Sequence, residues 1–303
     1  MASGVALLFW FYRDLPVCRN RLEGLRKNNP HTPIFGLYGG DPDDAARFRD
    51  ALEPHLDDFW AFDVRAPSKW KWRHGDLMLA AWYEGRGSDL DWDHVFVVQW
   101  DMLVLEPIES LLPALAPDEI LLSGVTPVAA HKGRWVWAEG GHEAAYRGFL
   151  DMIQEQYGAV EPLSCLFVIA CLPRRLLAAY AELPDAEVGY IEYRLPTLAS
   201  AVGLRLVNDE RVDASQGPGE NARAAGRRQS LLNGTKRAIR LPTILVEMTR
   251  KDGARLFHPY FGLFPSSPAW ALQTPGWGAY VGYRRAHTAI AARWHRLPFV
   301  PNS

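Results

Sequence analysis

The run from His94 to Leu105 constrains this chain more than any other segment. Val95, Phe96, Val97 and Val98 form an unbroken apolar stretch, Gln99, Trp100 and Asp101 interrupt it, and Met102, Leu103 and Val104 resume it. Successive β-branched and aromatic residues predict a buried strand. In open α/β sheets, ligands bind beyond the carboxyl ends of the strands, so an acidic residue at the end of this one has a functional address.

The residues before it alternate apolar runs with helical patterns, as a layered α/β domain requires. Val5 to Tyr12 predicts a strand, Cys18 to Lys27 a helix stopped at Asn28, Asn29 and Pro30, and Pro33 to Tyr38 a second strand closed by Gly39 and Gly40. Asp41 and Pro42 form a helix start, with a helix expected over Asp43 to Leu52. Met78, Ala81 and Trp82 share one helix face over Asp76 to Tyr83. Further on, Ile120 to Val125, Leu166 to Ala170, Leu204 to Val207 and Arg255 to Phe261 are strand candidates, with a helix over Glu143 to Tyr157. Glu192 stands just ahead of a helix striped by Leu195, Leu198, Ala199 and Val202, with Pro196 expected in its first turn. Asp213 to Leu241 mixes glycines with Arg223, Arg227, Arg228, Lys236, Arg237 and Arg240, which predicts a mobile basic loop. No repeat or Pro-rich linker divides the chain, so its 303 residues are expected to form a single domain.

Charge and cysteine content exclude several classes. A formal net charge of -2 removes any global case for nucleic-acid binding, and no nucleic-acid partner is expected. Cys18, Cys165 and Cys171 fit neither a disulfide framework nor a zinc module. Together with the lack of an export signal at the first residues, they point to the cytoplasm as the compartment. There is no phosphate-binding glycine loop, no dinucleotide fingerprint after the first strand, and no second histidine four residues after His142. Asp89, Asp91 and Asp93 alternate like the start of a calcium loop, but they precede the strand and lack the required glycine and glutamate, so they are expected to be a solvated loop. Tryptophans occur in close pairs, Trp70 with Trp72, Trp92 with Trp100 and Trp135 with Trp137. Each is either core packing or a stacking face for a base or a sugar.

Asp101 is the first candidate for chemistry, as a carboxylate able to hold a divalent cation against a diphosphate; the alternative is an aspartate capping a turn. His258, in Phe257-His258-Pro259-Tyr260, is a second candidate ligand or else a structural histidine. Arg73-His74-Gly75-Asp76, the following helix, and Val95 to Asp101 together resemble the nucleotide-binding half of GT-A fold glycosyltransferases. The resemblance implies a GT-A-like, Rossmann-type open sheet with helices on both faces, with residues 1–125 as a nucleotide-sugar-binding half, 126–262 as a variable acceptor-side and catalytic half, and 263–303 as a C-terminal extension. It also implies a hexosyltransferase-like enzyme that moves a sugar from a nucleoside diphosphate sugar to a sugar, lipid-linked or small-molecule acceptor.

By the same resemblance, Asp101 and His258 are the ligands of a Mn or Mg ion, and Glu192 is the base of an inverting transfer. Arg73, Asp76, Gln99 and Trp100, with Asp101, contact the sugar nucleotide. The first acid of the family's Asp-x-Asp motif is here Gln99, an amide that can bond a ribose but adds no charge. That departure favours the rival reading, a non-catalytic sugar- or nucleotide-binding protein on the same fold. The basic loop could close over the diphosphate as a lid. Residues 282–297 predict a helix whose Arg284, Arg285, Arg293 and Arg296 could rest on an acidic membrane surface, the alternative being packing against the domain.

Overall fold

The computed structural model describes residues 4–133, 135–183, 187–209, 211–212, 230–232 and 238–265. The first elements run β1 (Val5–Phe11), α1 (Leu15–Asn28), β2 (Ile34–Tyr38), α2 (Ala45–Leu52), β3 (Asp58–Ala61), α3 (Ser68–Arg73), α4 (Gly75–Gly85), β4 (His94–Gln99), β5 (Leu103–Val104) and α5 (Ile108–Leu111). After them come β6 (Glu119–Pro127), α6 (Glu143–Tyr157), β7 (Leu163–Pro173), α7 (Arg174–Ala181), α8 (Ile191–Ala201), β8 (Arg205–Val207), β9 (Ser230–Leu232), α9 (Leu241–Met248) and β10 (Leu256–His258).

Seven strands form one sheet in the order β3-β2-β1-β4-β7-β6-β8. Neighbours pair in parallel except where β7 meets β4 and β6. Both faces of this sheet are covered. Ala6, Leu8, Val95 and Val97 pack with α4, α6, α7 and α8 on one side, while Leu7, Phe9, Phe96 and Val98 pack with α1, α2 and α5 on the other. Burial on two sides is why β1 and β4 read as continuous apolar runs and not as alternation. The chain is therefore an α/β protein with an open sheet and helices on both faces.

A second, three-stranded sheet has the order β5-β10-β9. The apolar run of the central strand is divided between the two sheets: β4 ends at Gln99, Trp100 and Asp101 form a turn, and β5 departs to pair antiparallel with β10.

Several sequence expectations are corrected. Glu192 is inside α8, not ahead of it, and Pro196 lies in the helix interior. A proline there supplies no N–H to the Glu192 carbonyl four residues earlier. The helix expected from Asp43 begins as a 3-10 turn over Pro42–Asp44, with the Asp41 side chain accepting the Asp43 N–H. The alternating acids Asp89, Asp91 and Asp93 are exposed ahead of β4, with Asp93 accepting the Gly4 N–H. Most of residues 213–241, and all of 282–297, lie outside the described residues. Among the described residues, no helix is long and apolar enough to cross a membrane.

Candidate active site

Strand order changes direction between β1 and β4, since the chain continues from β1 to β2 on one side while β4 lies on the other. Ligands in open α/β sheets favour such a point at the carboxyl ends of the strands. Here that position holds a cavity of about 770 Å³ whose wall includes Trp10, Tyr12, Gly40, Lys71, Gln99 and Trp100. Gly40 is required by close approach, because a Cβ there would stand 2.7 Å from the Tyr12 carbonyl oxygen. Lys71 donates to the Gly39 and Gly40 carbonyls at 2.9 and 2.6 Å, fastening the loop after β2 to α3. The Trp10 indole N–H is buried with no hydrogen-bond partner. Trp100 is walled in by the Arg13 guanidinium, 4.7 Å from its ring, and by Phe261 stacked at 5.7 Å.

Beside this wall, Asp101 Oδ1 and His258 Nε2 are 3.5 Å apart, with both side chains nearly buried. Strand pairing brings them together. Phe257 is opposite Leu103, so one further step of the register sets His258 against Met102, and the Tyr260 N–H donates to the Asp101 carbonyl at 2.8 Å. Arg21, itself buried, holds the loop beyond His258 by donating to the Tyr260 and Gly262 carbonyls, each at 2.7 Å.

Asp101 Oδ1 is buried and accepts no hydrogen bond. An orphaned carboxylate oxygen next to an imidazole nitrogen fits a hard divalent cation, whose neighbouring ligands at about 2.1 Å stand roughly 3 Å from each other. Among the described residues no cluster of three or more His, Cys, Asp or Glu could hold a metal, so a cation here would take these two protein ligands and fill its other positions from ligand oxygens and water.

Glu192 occupies the first turn of α8, where its carboxylate accepts hydrogen bonds from the Phe167 N–H and the Trp137 indole N–H. Burial dominates these two bonds and pushes its pKa up to about 7. Gln99 Nε2 donates to the carbonyl of the same Phe167 at 2.8 Å. The amide expected at a ribose is thus engaged by β7, on the side of Glu192.

Asp76 is not a cavity residue. It is fully buried, its carboxylate taking hydrogen bonds from Arg194 Nε and Nη2 at 2.6 and 2.5 Å and from the Tyr180 hydroxyl at 2.9 Å. Its carboxylate is thereby committed to a buried ion pair inside the protein, away from the cavity wall. Arg73, Asp101, Glu192 and His258 are likewise not among the residues of the cavity wall, which of the expected site residues holds only Gln99 and Trp100; Arg73 Nη2 lies 2.5 Å from His142 Nδ1. Desolvation, then the Arg73 and Lys69 charges, lower the His142 pKa.

No protein-family model matches the chain, and none of the curated proteins matches it in sequence. Among solved structures it is similar to mouse xyloside xylosyltransferase 1 in its apo form, at a TM-score of 0.38 and 10% sequence identity, over 71% of this chain and 88% of that one.

Residues that sequence patterning did not single out complete the site. Phe167 joins Gln99 to Glu192, Lys71 and Arg13 line the cavity, and Arg194 fastens α8 to the start of α4. The tryptophan pairs resolve unequally. Trp92, Trp100 and Trp135 are buried, whereas Trp72 is 55% exposed and the only exposed tryptophan among the described residues.

Proposed function

We propose that this protein is a metal-dependent glycosyltransferase acting on a nucleoside diphosphate sugar, with Glu192 as the base of an inverting transfer. The observation that carries this reading is the 3.5 Å approach of Asp101 Oδ1 to His258 Nε2 beside the cavity at the strand-order reversal. The sequence resemblance to GT-A glycosyltransferases supports it from a separate direction.

In this reading, Asp101 and His258 hold a Mn or Mg ion, which when bound supplies counter-charge to a diphosphate leaving group. Trp10, Lys71 and Arg13 line the space for the nucleotide. Glu192 removes the proton from the acceptor hydroxyl as its oxygen bonds to the anomeric carbon, and the bond from that carbon to the phosphate oxygen breaks with its electron pair leaving on the nucleotide. A carboxylate whose pKa is about 7 is suited to this, being largely ionised just above neutrality while still a competent base.

The rival reading, a sugar- or nucleotide-binding protein without catalysis, is favoured by one observation: Gln99 supplies no charge and is bonded to Phe167. Thermal stabilisation by a panel of sugar nucleotides, with and without Mn, tests binding by mass action. Release of free nucleoside diphosphate separates the two readings. The glycosyltransferase reading expects a Mn-dependent shift with at least one sugar nucleotide, and turnover of that compound in the presence of acceptor. Absence of any Mn-dependent shift across the panel would sink it, and binding without turnover would leave the rival.

A further inference from the structure

Trp72 connects the cavity to a second group of aromatic rings. It lines the cavity mouth, and its ring also meets Trp137 edge-on at 5.2 Å and Tyr190 at 5.5 Å. Trp137 stacks on Tyr190 at 4.1 Å with an interplanar angle of 22°. Those two rings already cover one another, while Trp72 remains exposed. His142 packs edge-on against Trp137 at 5.1 Å and is paired with Arg73, whose Nε is buried without a partner. The Trp137 indole N–H in turn donates to the Glu192 carboxylate.

An exposed indole face, polar groups at its edge and a carboxylate of raised pKa tied to the same ring system suit one ligand chemistry. A pyranose ring offers an apolar C–H face to an aromatic plane and hydroxyls around its rim. We infer that Trp72, backed by Trp137 and the buried Tyr190, forms a subsite for a glycoside acceptor, with Arg73 and His142 bonding its hydroxyls and Glu192 at the hydroxyl that reacts. This deepens the glycosyltransferase reading and depends on it for the word acceptor; carbohydrate binding at these rings does not. Because the mouth of the nucleotide cavity and the aromatic group share Trp72, a sugar resting there is adjacent to where a donor sugar emerges.

The test uses the whole protein and three probes: methyl β-D-glucopyranoside, methyl β-D-galactopyranoside, and glycerol as a hydroxyl-bearing control without a ring. Binding is measured by isothermal titration and tryptophan fluorescence, with and without Mn and the sugar nucleotide giving the largest thermal shift. At least one glycoside is expected to bind and glycerol is not. Trp72→Ala is expected to weaken glycoside binding about tenfold, with Trp72→Phe restoring most of it. Since Trp72 is exposed, both variants should fold, which an unchanged melting temperature verifies.

Failure of both glycosides to bind the folded protein, or undiminished binding by Trp72→Ala, overturns the subsite even if sugar nucleotides bind. Glycoside binding that depends on Trp72, in a protein that binds no sugar nucleotide, upholds the subsite and removes the glycosyltransferase reading instead.

Discussion

Gln99 and Glu192 meet on one peptide residue: the Gln99 amide donates to the Phe167 carbonyl and the Glu192 carboxylate accepts the Phe167 N–H. The end of the central strand and the start of α8 are thus indexed to the same point on β7. A carboxylate held this way is fixed against β7 and not a mobile surface acid.

Replacing Glu192 with Gln keeps the shape and removes the base. Transfer is expected to fall roughly 100- to 10,000-fold, the range that positioned acid-base groups contribute, while sugar-nucleotide binding is retained. Initial rates of nucleoside diphosphate release, with the thermal shift alongside, check both halves. Full turnover in Glu192→Gln would show that another group takes the proton.

In the wild type, turnover is expected to rise with pH and level off above about 7, as Glu192 ionises. Trp137→Phe retains the ring but deletes the N–H that stabilises the ionised carboxylate. Its acid limb should therefore move to higher pH. A pH–rate profile that does not move would mean that the Trp137 bond leaves the titration untouched.

Stability carries the same signature with a definite sign. The Glu192 pKa is raised on folding from 4.5 to about 7, so the native state holds the proton more tightly than the unfolded chain. That contribution is complete below pH 4.5, declines as pH rises to about 7, and is constant above it. Relative to wild type, Glu192→Gln should gain stability across that window only, as urea unfolding at a series of pH values would reveal.

Asp101→Asn preserves size but removes the charge beside His258. Its Mn-dependent thermal shift with sugar nucleotide should vanish while the melting temperature without ligand stays near that of wild type. Retention of the shift would exclude Asp101 as a cation ligand.

The Asp76–Arg194 pair is structural. Asp76→Asn leaves a buried guanidinium without its counter-charge and is expected to cost about 3–5 kcal/mol, measurable by denaturant unfolding. Replacing both partners with apolar residues, as Asp76→Leu with Arg194→Met, should recover much of that loss, because no buried charge then remains.

Sequence periodicity exposed the central elements well and the peripheral ones poorly. β1, β2 and β4 are legible because burial on both faces demands uninterrupted apolar runs, and α6 spans Glu143–Tyr157 as expected. The half-buried β3 has no comparable run, and α3 alternates lysine with tryptophan and shows no 3.6-residue stripe. α7 follows directly on β7, with Pro173 ending the strand and standing at the helix cap in place of the usual Ser, Thr, Asp or Asn.

That Asp101 follows the central strand and that His258 lies on a later one was legible in the sequence, and the two come within 3.5 Å. The fate of Asp76 was not, since its partner lies 118 residues away and nothing local in Arg73-His74-Gly75-Asp76 announces an ion pair. Gln99 illustrates the same limit: its donation to Phe167 spans 68 residues.

The antiparallel rungs Leu103–Phe257 and Val104–Leu256 have a genetic corollary. The long stretch between them can change length without altering how Asp101 faces His258, because the rungs set the spacing locally. A single residue inserted between Asp101 and Leu103, or between Phe257 and His258, would turn one of the two side chains to the opposite face of the strand. Tolerance to insertion should therefore fall abruptly within a few codons of each, as it should within the buried strands of the main sheet and not in the loops between them.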